Sequence, residues 1–135
     1  MSYAVEVGDI IVVRNYRSHG KNLGQHSFVV IDTDGGQIQG LDYDVVCNVM
    51  SSFHSEKHRQ HKLSFPGNME YSSSDEQIQN GHSKDGFIKA DQFYFFNLQE
   101  LDYYVIGSIT PNLSYALKEF VKQLKNVEFI IDNLK

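Results

Sequence analysis

Residues 10–13 (Ile-Ile-Val-Val) and 28–31 (Phe-Val-Val-Ile) are unbroken apolar runs, and they limit the fold more than any other feature of this 135-residue chain. A half-buried strand alternates apolar with polar residues. A short continuous run closed by turn residues reads instead as a strand covered on both faces. The first run follows Gly8-Asp9 and gives a predicted strand over residues 9–14. The second gives a strand over residues 26–32, closed by Asp32-Thr-Asp-Gly-Gly36. Between them, residues 15–25 read as a polar loop that Gly20 and Gly24 allow to bend. No Asp or Glu occurs between Ile10 and Ile31, while Arg14, Arg17, His19, Lys21 and His26 do, although the chain carries a formal charge of -5. A basic loop between two apolar strands is a common setting for chemistry.

The rest of the chain reads as further strands. The turn at Asp34-Gly35-Gly36 predicts a returning edge strand over residues 37–41. Residues 45–50 (Val-Val-Cys-Asn-Val-Met) form a third core strand. Residues 54–62 are charged, without Gly or Pro, and suit a short helix or a solvated loop. Brief strands are expected at residues 63–65 and 68–71, on either side of the Pro66-Gly67 turn. Residues 72–85 contain one apolar residue, Ile78, and read as an exposed polar insert. Ordered structure resumes at residues 86–91, with strands expected at residues 92–96 and within 101–109. Thr110-Pro111 is a helix start, with Thr as N-cap and Pro in the first turn. Leu113, Ala116, Leu117, Phe120, Val121 and Leu124 then keep the helical period. Residues 129–131 continue that helix or pack separately. Short strands, glycine turns and one amphipathic helix define a mainly β domain over residues 1–135, a strongly bent sheet or barrel with a helix laid on it.

Composition narrows the setting. No apolar run approaches the twenty residues of a membrane span, and the N-terminus lacks the regions of a signal peptide. Cys47 has no partner in the chain and reads as a small buried residue in a reducing compartment, so a cytoplasmic location is expected. The acidic balance weighs against a general polyanion binder, but local patches decide where an anion docks.

Three groups of residues bear on chemistry. If the third strand runs parallel to the first, its end brings Ser51 and Ser52 to the rim that carries His26 and Arg14. Imidazole, guanidinium and hydroxyls on one rim suit a phosphodiester: His26 moves a proton, and Arg14 stabilises the charge on phosphorus. The plain alternative is a solvated loop with a half-buried histidine. His54, His58 and His61 would share a helix face, as zinc ligands can, but with no further ligand nearby they read better as a second basic patch. The aromatic residues 93–96 and 103–104 read as core.

The segments Val5-Glu-Val-Gly-Asp-Ile-Ile-Val12, Gly24-Gln-His-Ser-Phe-Val-Val-Ile31, Val46-Cys-Asn-Val-Met-Ser-Ser52 and Lys89-Ala-Asp-Gln-Phe93, with the strand and helix of residues 101–124, resemble the MazF/PemK/Kid family of toxin endoribonucleases. The resemblance implies a small SH3-like barrel, a homodimer and cleavage of single-stranded RNA without metal or cofactor, leaving a 2′,3′-cyclic phosphate and a 5′-hydroxyl. It also implies an antitoxin whose acidic tail covers the RNA groove. In this chain His26-Ser27 stands where the family has Arg-Pro, and the hydroxyl position falls on Ser51, or on Ser52 in the neighbouring register. The expected catalytic residues are therefore His26, Ser51 and Arg14. Arg17, His19, Lys21, Gln25, Ser52 and His54 are the expected substrate contacts. The rival expectation is a catalytically silent SH3-like module that binds an acidic peptide or nucleic acid.

Overall fold

Ile10, Ile11, Val13, Phe28, Val29 and Val30 are all completely buried, so the strands that carry them are covered on both faces. The computed structural model describes residues 5–74, 77–80 and 84–135. Strand β1 (Asp9–Ser18) pairs antiparallel with β2 (Lys21–Asp32). A separate small hairpin follows, β3 (Gly36–Ile38) with β4 (Leu41–Tyr43). Strand β5 (Val45–Ser52) then returns antiparallel along β2, with Ser27 opposite Met50 and Phe28 opposite Val49. Next come helix α1 (Glu56–Leu63), β6 (Asn68–Tyr71), β7 (Ile78–Asn80), β8 (Gly86–Lys89), β9 (Gln92–Phe96) and β10 (Tyr103–Ile109). Helix α2 (Pro111–Lys122) and β11 (Glu128–Ile130) complete the chain. Among the described residues, nine strands form one sheet in the order β11-β9-β5-β2-β1-β10-β7, with β8 and β6 added beside the end of β5.

Side-chain alternation sorts the core into two layers. Ile11, Val13, Tyr16, Phe28, Val49, Tyr94 and Phe96 pack on one face, where Phe28 meets Tyr16, Tyr94 and Phe96 edge-on. Ile10, Val29, Met50, Ile88 and Ile109 pack on the other, under Leu113 and Leu117 of α2. Thr110 caps α2 as its sequence predicts, its hydroxyl accepting from the Leu113 N–H. Of the aromatic residues expected in the core, Tyr94, Phe95 and Phe96 are buried and Phe93 and Tyr103 half-buried, but Tyr104 is exposed, its ring under the Arg14 guanidinium.

Several expectations need correction. Residues 15–25 are not a loop: β1 and β2 run on through them to a two-residue turn at His19-Gly20. Both turn residues have positive φ, 52° and 77°, as a tight turn matched to strand twist requires. Residues 37–41 do not return along β2, because the chain turns again at Gln39-Gly40 and pairs with itself. Residues 63–65 form the end of α1 and a turn, not a strand. The insert is not wholly exposed: Ile78 is buried and β7 adds to the edge at β10, while residues 75, 76 and 81–83 lie outside the described residues. Residues 129–131 do not extend α2. Glu128, Phe129 and Ile130 pair in parallel with β9. Among the described residues, no helix is long and apolar enough to cross a membrane.

Candidate functional site

A cleft of about 280 Å³ opens where β2 enters the core and β5 leaves it, lined by Val12, Gln25, His26, Ser27, Met50, Ser51, Ser52 and His54. Sheet register explains the grouping. Val13 pairs with His26, and Ser27 with Met50, so continuing the antiparallel ladder by one residue sets His26 opposite Ser51. Residues directly opposite in such a ladder share a face. His26 therefore shares a face with Val13, Phe28 and Ser51, while Ser27 and Ser52 share the other with Val12 and Met50. The two faces meet at the rim, because β5 ends at Ser52.

The His26 imidazole is half-buried and stands edge-on to Tyr16, with ring centroids 5.8 Å apart. Burial lowers its pKa from the usual histidine value, partly offset by a hydrogen bond to the Gln25 backbone. Desolvation disfavours the imidazolium, so His26 is neutral at pH 7 and able to accept a proton. Tyr16 is itself deeply placed. Burial, with a contribution from Tyr94, raises its phenol to about 12, so it supports the imidazole as a neutral ring. Ser52 shares a hydrogen bond with the buried phenol of Tyr71, which leaves Ser51 as the hydroxyl beside His26.

His54 borders this cleft and a second one of about 450 Å³, which also holds Arg59, Lys84, Glu70 and Asp85. Its backbone N–H donates to Nδ1 of His58 at 3.0 Å, and the two rings lie 4.5 Å apart. Ser55 caps α1, accepting from the His58 N–H and fixing where the segment leaves the rim. One cation of α1 is spent within the protein. Arg59 holds Glu70 through Nε at 2.7 Å and Nη2 at 3.1 Å, and also contacts Glu56. Among the described residues, no group of three His, Cys, Asp or Glu side chains is arranged to hold a metal ion.

The structure thus gathers His26, Ser51, Gln25, Ser52 and His54 and leaves the other expected residues elsewhere. Arg14 turns toward β10, where it pairs with Asp102 at 3.0 Å and lies over the Tyr104 ring at 4.7 Å. Arg17, His19 and Lys21 sit toward the hairpin tip, roughly 15–20 Å from His26 at the usual rise per strand residue. There the C-terminal segment engages Arg17 and His19. Arg17 donates from its backbone to Asn133 and from its guanidinium to the Lys135 carbonyl, while His19 meets Glu128 at 2.6 Å. Extending the strands carried these cations off the rim. The sequence reading missed Ser27 and the supporting Tyr16 and Tyr71. Nothing local in the sequence marks Tyr16, whose burial follows from β1 continuing past Arg14. No protein-family model matches this chain, and no curated protein matches it.

Proposed function

We propose that the rim cleft is a metal-independent endoribonuclease site acting on single-stranded RNA. The observation that carries this reading is a half-buried, neutral imidazole beside a serine hydroxyl, with a second imidazole and, among the described residues, no carboxylate lining the same cleft. Such a site welcomes a phosphodiester and can move a proton on and off it. His26 takes the proton of the ribose 2′-hydroxyl, whose oxygen attacks phosphorus. The bond to the 5′-oxygen breaks, and that oxygen leaves with a proton from His54. Ser51 donates a hydrogen bond to a non-bridging oxygen, and the products are a 2′,3′-cyclic phosphate and a 5′-hydroxyl. We assign the sheet, bent around its inner aromatic layer, to the SH3-like barrels. We place the chain in a cytoplasmic toxin–antitoxin pair, as a homodimer inhibited by an acidic antitoxin tail.

Incubation of the pure protein with single-stranded RNA in EDTA tests the chemistry. Cleavage should fall at least a hundredfold in His26→Ala and yield cyclic-phosphate ends. On the acid side of its pH profile the rate should rise with pH through an inflection below the ordinary histidine value, because the neutral form of His26 acts as the base. Undiminished cleavage by His26→Ala would remove the assignment.

One observation favours a second reading. The Arg14 guanidinium, which would stabilise the pentacoordinate phosphorus, is committed to Asp102 and Tyr104. A silent module would bind RNA or an acidic peptide at the rim in a salt-sensitive way and turn nothing over.

A further inference from the structure

The cleft beyond His54 differs in chemistry from the rim it adjoins. Ser51, Ser52 and His54 line the first, and Phe53, His54 and Ser55 line the second, so one stretch of chain runs through both. His54 stands on the border. At about 450 Å³ the second cleft is within the range of small-molecule sites, about 300–1,000 Å³.

Its lining suits a flat ring that carries N–H donors. Phe53 is half-buried, and its ring stacks on the buried Phe87, with centroids 5.6 Å apart and planes at 28°. Asp85 is held beside it, because the Phe53 N–H donates to the Asp85 carbonyl at 3.0 Å. The Ser73 backbone N–H and hydroxyl both donate to Asp85 Oδ1, at 2.8 and 3.0 Å. These bonds hold the carboxyl below its ordinary range, so it is ionised. A carboxylate has about four lone-pair sites. Ser73 uses the two on Oδ1, and those of Oδ2 remain. Arg59 is occupied with Glu70 and Glu56. Lys84 is exposed and, among the described residues, makes no ion pair.

Charge sorts the two ends of a nucleotide between the clefts. Glu56, Glu70 and Asp85 outnumber Arg59 and Lys84 in the second cleft, which repels a phosphate and accepts from a base. The rim, without a carboxylate among the described residues, takes the phosphate. Guanine alone of the four bases presents two ring-edge donors side by side, N1–H and N2–H, with the O6 acceptor next to them. Adenine and cytosine present one donor group beside an acceptor nitrogen, and uracil one donor between two carbonyl oxygens.

We propose that the second cleft binds a guanine base, that of the nucleotide on the 3′ side of the bond broken at the rim. The base stacks on Phe53, N1–H and N2–H meet Asp85 Oδ2, and O6 faces Lys84. The position of the base rests on the RNA reading: His54 gives its proton to the leaving 5′-oxygen, and the second cleft continues from His54.

The test uses the full chain and 5′-mononucleotides, whose phosphate stands in for the scissile one. GMP, IMP (which lacks the 2-amino group), AMP, CMP and UMP are compared by calorimetry and by the NMR signals of the Phe53 and His54 rings. GMP should bind saturably, about tenfold more tightly than AMP, CMP or UMP, with IMP between and both rings responding. Asp85→Asn keeps an acceptor for Ser73 but puts an amide donor where Oδ2 was, and should remove the preference for GMP. Phe53→Leu should weaken every nucleotide severalfold. Equal binding of the five overturns the proposal, as does a preference that survives Asp85→Asn or a Phe53 ring that does not respond. Should Asp85→Asn fail to fold, GMP against IMP on the unaltered chain decides, and equal affinity overturns the proposal. A single-stranded RNA containing all four bases, incubated in EDTA, separates this site from the chemistry at the rim. Cuts confined to the 5′ side of guanine support both. Cuts before every base alike overturn the guanine site and leave the chemistry. No cutting, with the GMP preference intact, removes the chemistry and supports the guanine site.

Discussion

Gly86 offers the sharpest test of how the rim is built, because its role is contact and not conformation. It pairs with Ser52 of β5 on one side and Tyr71 of β6 on the other. A Cβ placed there would lie 2.9 Å from the Ser51 carbonyl carbon and 2.7 Å from the Tyr71 hydroxyl, and closer still to the Ser51 carbonyl oxygen. The last two are not flexible chain ends: one is ladder backbone, and the other is a fully buried ring. Gly86→Ala must therefore part β8 from β5. Overpacking costs about 1–3 kcal/mol where side chains can adjust. Here backbone must move and ladder hydrogen bonds lengthen, so about 3 kcal/mol is expected. For a domain of this size that is a fall in Tm of roughly 10 °C. Gly20→Ala is the control. Its Cβ meets nothing within 4 Å, and only the positive φ of 77° opposes it, a cost of about 1–2 kcal/mol. Urea unfolding of both variants, read as a midpoint shift at constant slope, measures the difference. If Gly86→Ala is no more destabilising than Gly20→Ala, the close approach of β8 to β5 is wrong, and with it the placement of Ser51.

Three further outcomes follow from the same geometry. The His26 pKa is lower folded than unfolded, so between those two values the unfolded chain binds more protons and stability falls as pH drops through that window. His26→Gln should flatten this acid limb below about pH 6.5 in urea titrations, and an unchanged limb would show that His26 is not desolvated. Cys47 is completely buried and its thiol is pushed well above the usual range by desolvation. It should therefore resist an aromatic disulfide reagent in the folded protein and react at once in urea, and rapid labelling of the native state would contradict its place in the layer of Phe28 and Tyr94. Arg14→Ala removes an exposed ion pair and a cation–π contact, so stability should change by about 1 kcal/mol or less in a double-mutant cycle with Asp102→Ala. RNA cleavage by Arg14→Ala should be unaltered, and a large loss would return Arg14 to the site.

The core was legible where local pattern and tertiary environment agree. The runs at residues 10–13, 28–31 and 45–50 are strands buried on both faces, and the Thr110-Pro111 start and the spacing from Leu113 to Leu117 gave α2. The hairpin tip was not legible because the start of its second strand carries no apolar run, only the single Leu23. Lys21, Asn22 and Leu23 are exposed, and that strand exists through its ladder to β1 and its contacts with the C-terminal segment. Asp132, for example, accepts from the Gly20 N–H at 2.7 Å. Those partners lie more than a hundred residues away in sequence. β11 is a similar case, a three-residue strand held by a parallel pairing to β9 that no local turn foreshadows. Of the expected site, the residues next to the strand ends were legible, because register alone brings His26 to Ser51. The cations were not, since their destinations depended on where the strands stop.

Strand β5 ties these observations together. It is buried along most of its length and flanked by β2 on one side and by β9 and β8 on the other, so each polar group it carries must be accounted for within the protein. It carries three. Ser52 is bonded to Tyr71, which anchors the end of the strand. Ser51, one residue earlier, faces the opposite side and meets the rim cleft with His26. Asn48 has only one of its two polar atoms satisfied, and it lines a cavity under α2. Ser51 and Asn48 are three residues apart, about 10 Å along the strand, and the pleat turns them to opposite faces. A fully apolar strand would build the same sheet with less cost. Of the polar groups on β5, the Ser51 hydroxyl is the one that the described residues leave to the rim, beside the His26 imidazole.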